Sequence, residues 1–204
     1  TKSAAGSDAA SDCYASVTGG CYISVKTANS LSTCEAGYKC PAGDVYWDGI
    51  GNRAACSGNT EYQDETGKTT CKTPSDGYYK KNDSSQQACG TGYYCKSGVR
   101  TACTTGAGAN TTTTTTTASA VSSCVCAAGA GGTANTACTA CATGSYKAAA
   151  GTTACTTADS GYYVDATGQT AQSQCPSGYR TGSDNGRDAN TDCYVNTTAG
   201  NYVK

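Results

Sequence analysis

Cys126-Ala-Ala-Gly129, then Cys138-Thr-Ala-Cys141-Ala-Thr-Gly144-Ser-Tyr146, closing at Cys155, is the most regular phrase in the chain. It reads C-x-x-G, a short loop, C-x-x-C-x-x-G-x-Y, another loop and a last cysteine. Parts of it recur with looser spacing between Cys13 and Cys193. Glycine just after a cysteine supplies the positive φ of a tight turn. The tyrosine that follows enters an extended segment and can lay its ring on a disulfide while its hydroxyl stays wet. The phrase therefore reads as one unit of a disulfide-stapled repeat.

Composition supports that reading. The 204 residues include one leucine (Leu31), two isoleucines (Ile23, Ile50), and no Phe, Met or His. The 37% apolar fraction is mostly Ala, Tyr and Cys, which build no large hydrophobic core. Sixteen cysteines offer the alternative, since each bridge contributes about 2–4 kcal/mol by restricting the unfolded chain. Such a framework belongs to an oxidising compartment, so the expected location is extracellular or the cell surface. Net charge is −1 with 14% charged residues, so no basic patch is available for nucleic acid. No apolar run approaches the ~20 residues of a membrane span. The first residues, Thr1 to Asp8, lack an apolar signal core, and the chain is read as already processed. A lipid anchor lost in the same processing would leave no trace at Lys204.

Along the chain, residues 1–12 form a polar arm, 13–103 a first set of Cys-rich repeats, and 104–123 a Thr-rich segment. Residues 124–193 form a second set and 194–204 a tail. Cys71 to Gly77-Tyr78-Tyr79 to Cys89 is matched by Cys155 to Gly161-Tyr162-Tyr163 to Cys175, an internal duplication. Each unit is too small to bury a face alone, so neighbours must stack. The expected fold is an elongated rod of small disulfide-rich repeats, with short β-strands and turns, almost no helix and no large hydrophobic core. Cys124-Val125-Cys126 is too tight to pair with itself, so Cys124 should pair backward and Cys126 forward. Cys126–Cys138 and Cys141–Cys155 are the expected local loops. The partners of Cys175, Cys193 and the others stay open among about two million pairings.

Catalysis finds no foothold. Without histidine no Ser-His-Asp or Cys-His nucleophile can form, no cofactor is implied, and the chain is not expected to be an enzyme. Asp188-x-Asn190-x-Asp192 has the alternation of a calcium loop but lacks its glycine and distal glutamate, so a turn is the first reading. Asn82-Asp83-Ser84, Asn110-Thr111-Thr112 and Asn196-Thr197-Thr198 are N-glycosylation sequons. Thr111, Thr112, Thr113, Thr114, Thr115, Thr116 and Thr117 form a run that reads as an O-glycosylated segment, a bare solvated linker or a packing strand. Trp47, the only tryptophan, reads as a local mini-core or a ligand platform.

The phrase from Cys126 to Cys155 resembles the cysteine-rich repeats of protist surface coats, and most of all the immobilisation antigens of ciliates. It is also similar to the ephrin-receptor-like and tumour-necrosis-factor-receptor-like cysteine modules of animal ectodomains. The resemblance is good over 126–193, looser over 34–103 and absent in the Thr tract. It implies a non-catalytic, glycosylated coat protein. The expected function is a structural cell-surface coat or filament subunit, with copies of itself and attached glycans as partners. The alternative is a receptor-like or lectin-like ectodomain that grips a ligand with exposed aromatic rings.

Overall fold

The computed structural model describes residues 14–25, 30–46, 52–182 and 187–195. Cys13, Trp47 and Asn196 lie outside them. The described chain is built almost wholly from short antiparallel strand pairs, and its one α-helical turn is Cys103–Gly106. It divides into two compact units, 1–89 with 95–100, and 90–94 with 101–204. The division falls ahead of the Thr-rich segment, which lies in the second unit.

One local device generates the strand pairs. A turn ends on a residue of positive φ, two or more residues run extended, and a second strand returns beside them. In Gly37-Tyr38-Lys39 the extended pair meets Ala54–Ala55, and the N–H of the next residue, Cys56, donates to the Gly37 carbonyl at 2.9 Å. The same closing bond joins Cys34 to Gly20, Cys89 to Gly77, Cys103 to Gly92, Ala127 to Asn110, Cys141 to Gly129, Ala158 to Gly144 and Cys175 to Gly161. The turn residue thus fixes where the returning strand ends. Six of the eight closing residues are cysteines, so the disulfide is anchored at a backbone position the hairpin has already set.

Bridging then follows chain order. The pairs are Cys34–Cys40, Cys56–Cys71, Cys89–Cys95, Cys103–Cys124, Cys126–Cys138, Cys141–Cys155 and Cys175–Cys193. Each joins a cysteine to the next one along. Cys124 pairs backward and Cys126 forward.

Successive hairpins are interlocked by backbone. The N–H of turn residue Gly20 donates to the carbonyl of Cys40, three residues past the next turn at Gly37. Gly77 reaches Cys95, Gly129 reaches Lys147, and Gly144 reaches Val164, each acceptor again lying three residues past the following turn glycine. At two places a side chain does this work: Gly92 N–H donates to Thr113 Oγ1 at 2.9 Å, and Gly161 N–H to Thr181 Oγ1 at 3.0 Å. Thr113 lies three past Asn110 and Thr181 three past Gly178, so the register is kept.

A further element is duplicated. Gly67 N–H donates to the Cys34 carbonyl and Cys40 N–H to the Lys68 carbonyl. Gly168 N–H and Lys147 N–H make the corresponding bonds to Cys141 and Gln169. The segments concerned, Tyr62-Gln-Asp-Glu-Thr-Gly-Lys-Thr69 and Tyr163-Val-Asp-Ala-Thr-Gly-Gln-Thr170, share the pattern Y-x-D-x-T-G-x-T. The fit is close. A Cβ at Gly20 would overlap the Gly67 carbonyl, and one at Gly129 the Gly168 carbonyl.

Burial confirms what replaces the hydrophobic core. Cys34, Cys40, Cys56, Cys89, Cys95, Cys103, Cys124, Cys126 and Cys141 are fully buried, accompanied by few other large side chains. The two apolar clusters each form around a disulfide: Cys103–Cys124 with Ala107, Tyr94 and Val121, and Cys126–Cys138 with Ala130.

Candidate functional site: the groove beside Asn82

A shallow, open groove of about 380 Å3 lies between Ala36, Gly37 and Tyr38 on one side and Asn82, Asp83 and Ser84 on the other. The first wall is a hairpin turn. The second is the tip of the hairpin Tyr78–Asn82/Ser85–Ala88, whose register shifts between Lys80 and Asn82. Backbone bonds set the spacing: Gly37 N–H donates to the Gln63 carbonyl at 2.7 Å, and Gln63 N–H to the Asp83 carbonyl at 2.8 Å. Gln63 is buried, with its amide satisfied by the Thr70 carbonyl and its oxygen by Glu65 N–H.

At the tip, Asn82 is exposed. Its Oδ1 accepts from the N–H and Oγ of Ser84 and from Ser85 Oγ, at 3.0, 3.1 and 2.7 Å. That side-chain turn is what asparagine does best in a tight reversal. Lys80 Nζ pairs with Asp83 Oδ1 at 2.6 Å and also donates to the carbonyls of Cys56 and Gly58.

Beside the first wall, Arg53 ties two tyrosines together. Its guanidinium carbon lies 3.5 Å from the Tyr38 ring centre and 5.0 Å from that of Tyr22. Its Nε donates to Glu35 Oε2 at 3.0 Å, and the Tyr22 hydroxyl donates to Glu35 Oε1 at 2.7 Å. The Tyr22 hydrogen bond, aided by Arg53, holds the Glu35 carboxyl below its usual range, and the same bond raises the Tyr22 phenol. Arg100 similarly covers Tyr79, 5.2 Å from its ring centre. Tyr94 packs against a disulfide cluster as the sequence suggested, whereas Tyr22, Tyr38 and Tyr79 meet guanidinium groups instead.

The other glycan candidates are placed differently. Asn110 has φ +56° and serves as a turn residue where other hairpins use glycine, a conformation asparagine tolerates better than most. Its Nδ2 donates to the Cys138 carbonyl at 2.9 Å. Thr111–Thr112 is a strand paired with Val125–Cys126, and Thr111 and Thr113 are buried with bonded hydroxyls, leaving no room for sugar there. Thr112 is half-buried, and Thr114 to Thr117 are exposed.

Asp188, Asn190 and Asp192 are not gathered as calcium ligands. Asp192 Oδ2 accepts from the N–H groups of Asp188 and Ala189 at 3.0 and 2.8 Å, capping the 3-10 turn Asn190–Asp192. Among the described residues no group of three or more His, Cys, Asp or Glu side chains is placed to hold a metal ion.

Sequence reasoning missed Lys147. It is 3% exposed, and its Nζ donates to the carbonyls of Ala130 and Gly151 at 2.9 and 2.7 Å. Burial lowers its pKa. It occupies the position, three past a turn glycine, held by Cys40 and Cys95 in other hairpins. Arg100 and Arg187 also donate to backbone carbonyls, those of the closing residues Cys89 and Ala158. The signal was a lysine directly after G-x-Y, since Lys147 follows Gly144-Ser145-Tyr146 as Lys80, which also donates to two carbonyls, follows Gly77-Tyr78-Tyr79.

No known protein family matches the chain, and no curated protein matches it.

Proposed function

We propose that the chain is a non-catalytic structural protein of the extracellular space, a glycosylated and disulfide-stapled subunit of a cell-surface coat or filament. The observation that carries this reading is the bridge order: seven disulfides among the described residues, each joining consecutive cysteines across hairpins that backbone bonds already interlock. Many bridges on a chain with so little apolar core suit an oxidising, protease-exposed setting. Because neighbouring hairpins meet through the main chain, loops can vary freely without loss of the scaffold. That is useful in a coat whose outer face changes, as in the protist surface antigens the sequence resembles. Its partners on this reading are copies of itself and attached glycans.

Negative-stain microscopy of protein purified from the surface of its own cells tests the proposal. Ordered fibres or sheets are the expected result. Dispersed particles that retain a soluble ligand would refute it and favour a receptor-like or lectin-like ectodomain. The groove beside Asn82 is the feature on which that second reading would rest.

A further inference from the structure

We propose that Asn82 carries an N-linked glycan whose first N-acetylglucosamine seats in the groove between Ala36–Tyr38 and Asn82–Ser84. This rests on the glycoprotein reading above and locates one sugar on the surface. Three observations converge on it.

Asn82 is exposed at a hairpin tip, and its Oδ1 is held by Ser84 and Ser85. That fixes the amide plane, and Nδ2 has no hydrogen-bond partner among the described residues. Asn110 shows the opposite arrangement, because its Nδ2 is already given to the Cys138 carbonyl. The acceptor nitrogen is therefore available at one described sequon and engaged at the other. The groove also begins at Asn82 itself, and it is shallow and open, about 380 Å3, so it can meet one side of a tethered sugar rather than enclose a free ligand.

The two walls match the two faces of a hexosamine. Half-buried Ala36 and the part of Tyr38 not covered by Arg53 offer an apolar side to the C–H face of the ring, while Gly37 between them is buried against Asp83. Asp83 and Ser84 offer acceptors to its hydroxyl rim, and Lys80 steadies Asp83 through Oδ1. Tethering matters here. A sugar linked one residue from its seat has an effective concentration of order mM or above, so interactions too weak to capture a free sugar suffice. In the attachment step Asn82 Nδ2 displaces the pyrophosphate of a lipid-linked oligosaccharide at its anomeric carbon. The N–C1 bond forms, the C1–O bond breaks, the lipid pyrophosphate leaves and Nδ2 gives up one proton.

The test uses the full chain expressed in a glycosylating secretory host. Glycopeptide mapping reads occupancy at each sequon, with Asn82→Gln as the control for assignment. The glycans are then trimmed to a single N-acetylglucosamine, and NMR looks for nuclear Overhauser cross-peaks between that sugar and the Ala36 methyl. The expected results are an occupied Asn82 and cross-peaks that vanish on complete deglycosylation. An occupied Asn82 whose sugar gives no cross-peak to Ala36 overturns the seating. Sugar elsewhere with Asn82 bare overturns this proposal and leaves the glycoprotein reading intact. Sugar nowhere overturns both.

Discussion

Replacing Lys147 with methionine tests whether cations stand in for hydrophobic core. The substitution keeps the length of the side chain and removes three donors. It takes the ammonium donor from the carbonyls of Ala130 and Gly151, now bonded at 2.9 and 2.7 Å, at a side chain only 3% exposed. A buried acceptor that loses its donor costs about 1–3 kcal/mol. Two such acceptors sum to about 2–6 kcal/mol. Relief of the ammonium's desolvation offsets part of this, so the expected net loss is about 2–4 kcal/mol. The loss should appear as a lower urea midpoint in the oxidised protein, at unchanged m-value. The pH dependence supplies an independent check. Burial lowers the folded pKa of Lys147 below 10.5, so at alkaline pH the unfolded chain binds the extra proton. Stability contributed at this site therefore rises as pH climbs through the folded pKa, and levels off above the unfolded value. The parent should gain on the methionine variant over that window. A variant within about 0.5 kcal/mol of the parent, with a parallel pH profile, would refute the reasoning.

Thr113→Val and Thr181→Val each remove a hydroxyl that accepts a turn N–H, so each should cost about 1–2 kcal/mol in denaturant unfolding, whereas Thr115→Val at an exposed position should be near neutral. Acid should loosen the first unit: hydrogen bonds and charge from Lys68, then Lys72, lower Glu65 from 4.5 to about 2. The folded value lies below the unfolded one, so its contribution is complete above about pH 4.5 and fades toward pH 2, and a Glu65→Gln variant should show a flatter melting-temperature profile there. Cys21 has no disulfide partner among the described residues and Cys13 lies outside them. Because every described bridge joins consecutive cysteines, the oxidised chain should take up no alkylating reagent and weigh sixteen hydrogens less than the reduced one; two labelled thiols at Cys13 and Cys21 would break the rule.

The sites legible in the sequence were those whose chemistry resides in a side chain. The C-x-x-G-Y phrases revealed stapled turns because only glycine takes the required φ without cost. The local loops Cys126–Cys138 and Cys141–Cys155 could be read because their short spacing left few alternatives. Asn110 escaped notice as a turn residue, since it reads as a sequon first. Ala127 and Ala158 were invisible as closing residues because their role is played by a backbone N–H that any residue but proline supplies. The three readings of the Thr run, as sugar-bearing segment, linker or packing strand, stayed open at Thr111 and Thr113 for a related reason. Composition describes it as a soluble tract, but both hydroxyls are taken up by neighbouring backbone groups.

Taken alone, the sequence determined the class of object: a disulfide-stapled array of short hairpins with little helix and no large apolar core. Cysteine number, glycine placement and the lack of large aliphatic side chains are sufficient for that. Tertiary structure alone decided which amide meets which carbonyl, and therefore that Cys126 to Cys155 is one link in an interlocked series. It also decided that Lys147 is buried and that Asn82 stands at the edge of a groove. Those outcomes depend on main-chain hydrogen bonds between segments distant in sequence, and main-chain groups are the same at almost every residue, so they leave little mark on the one-dimensional chain.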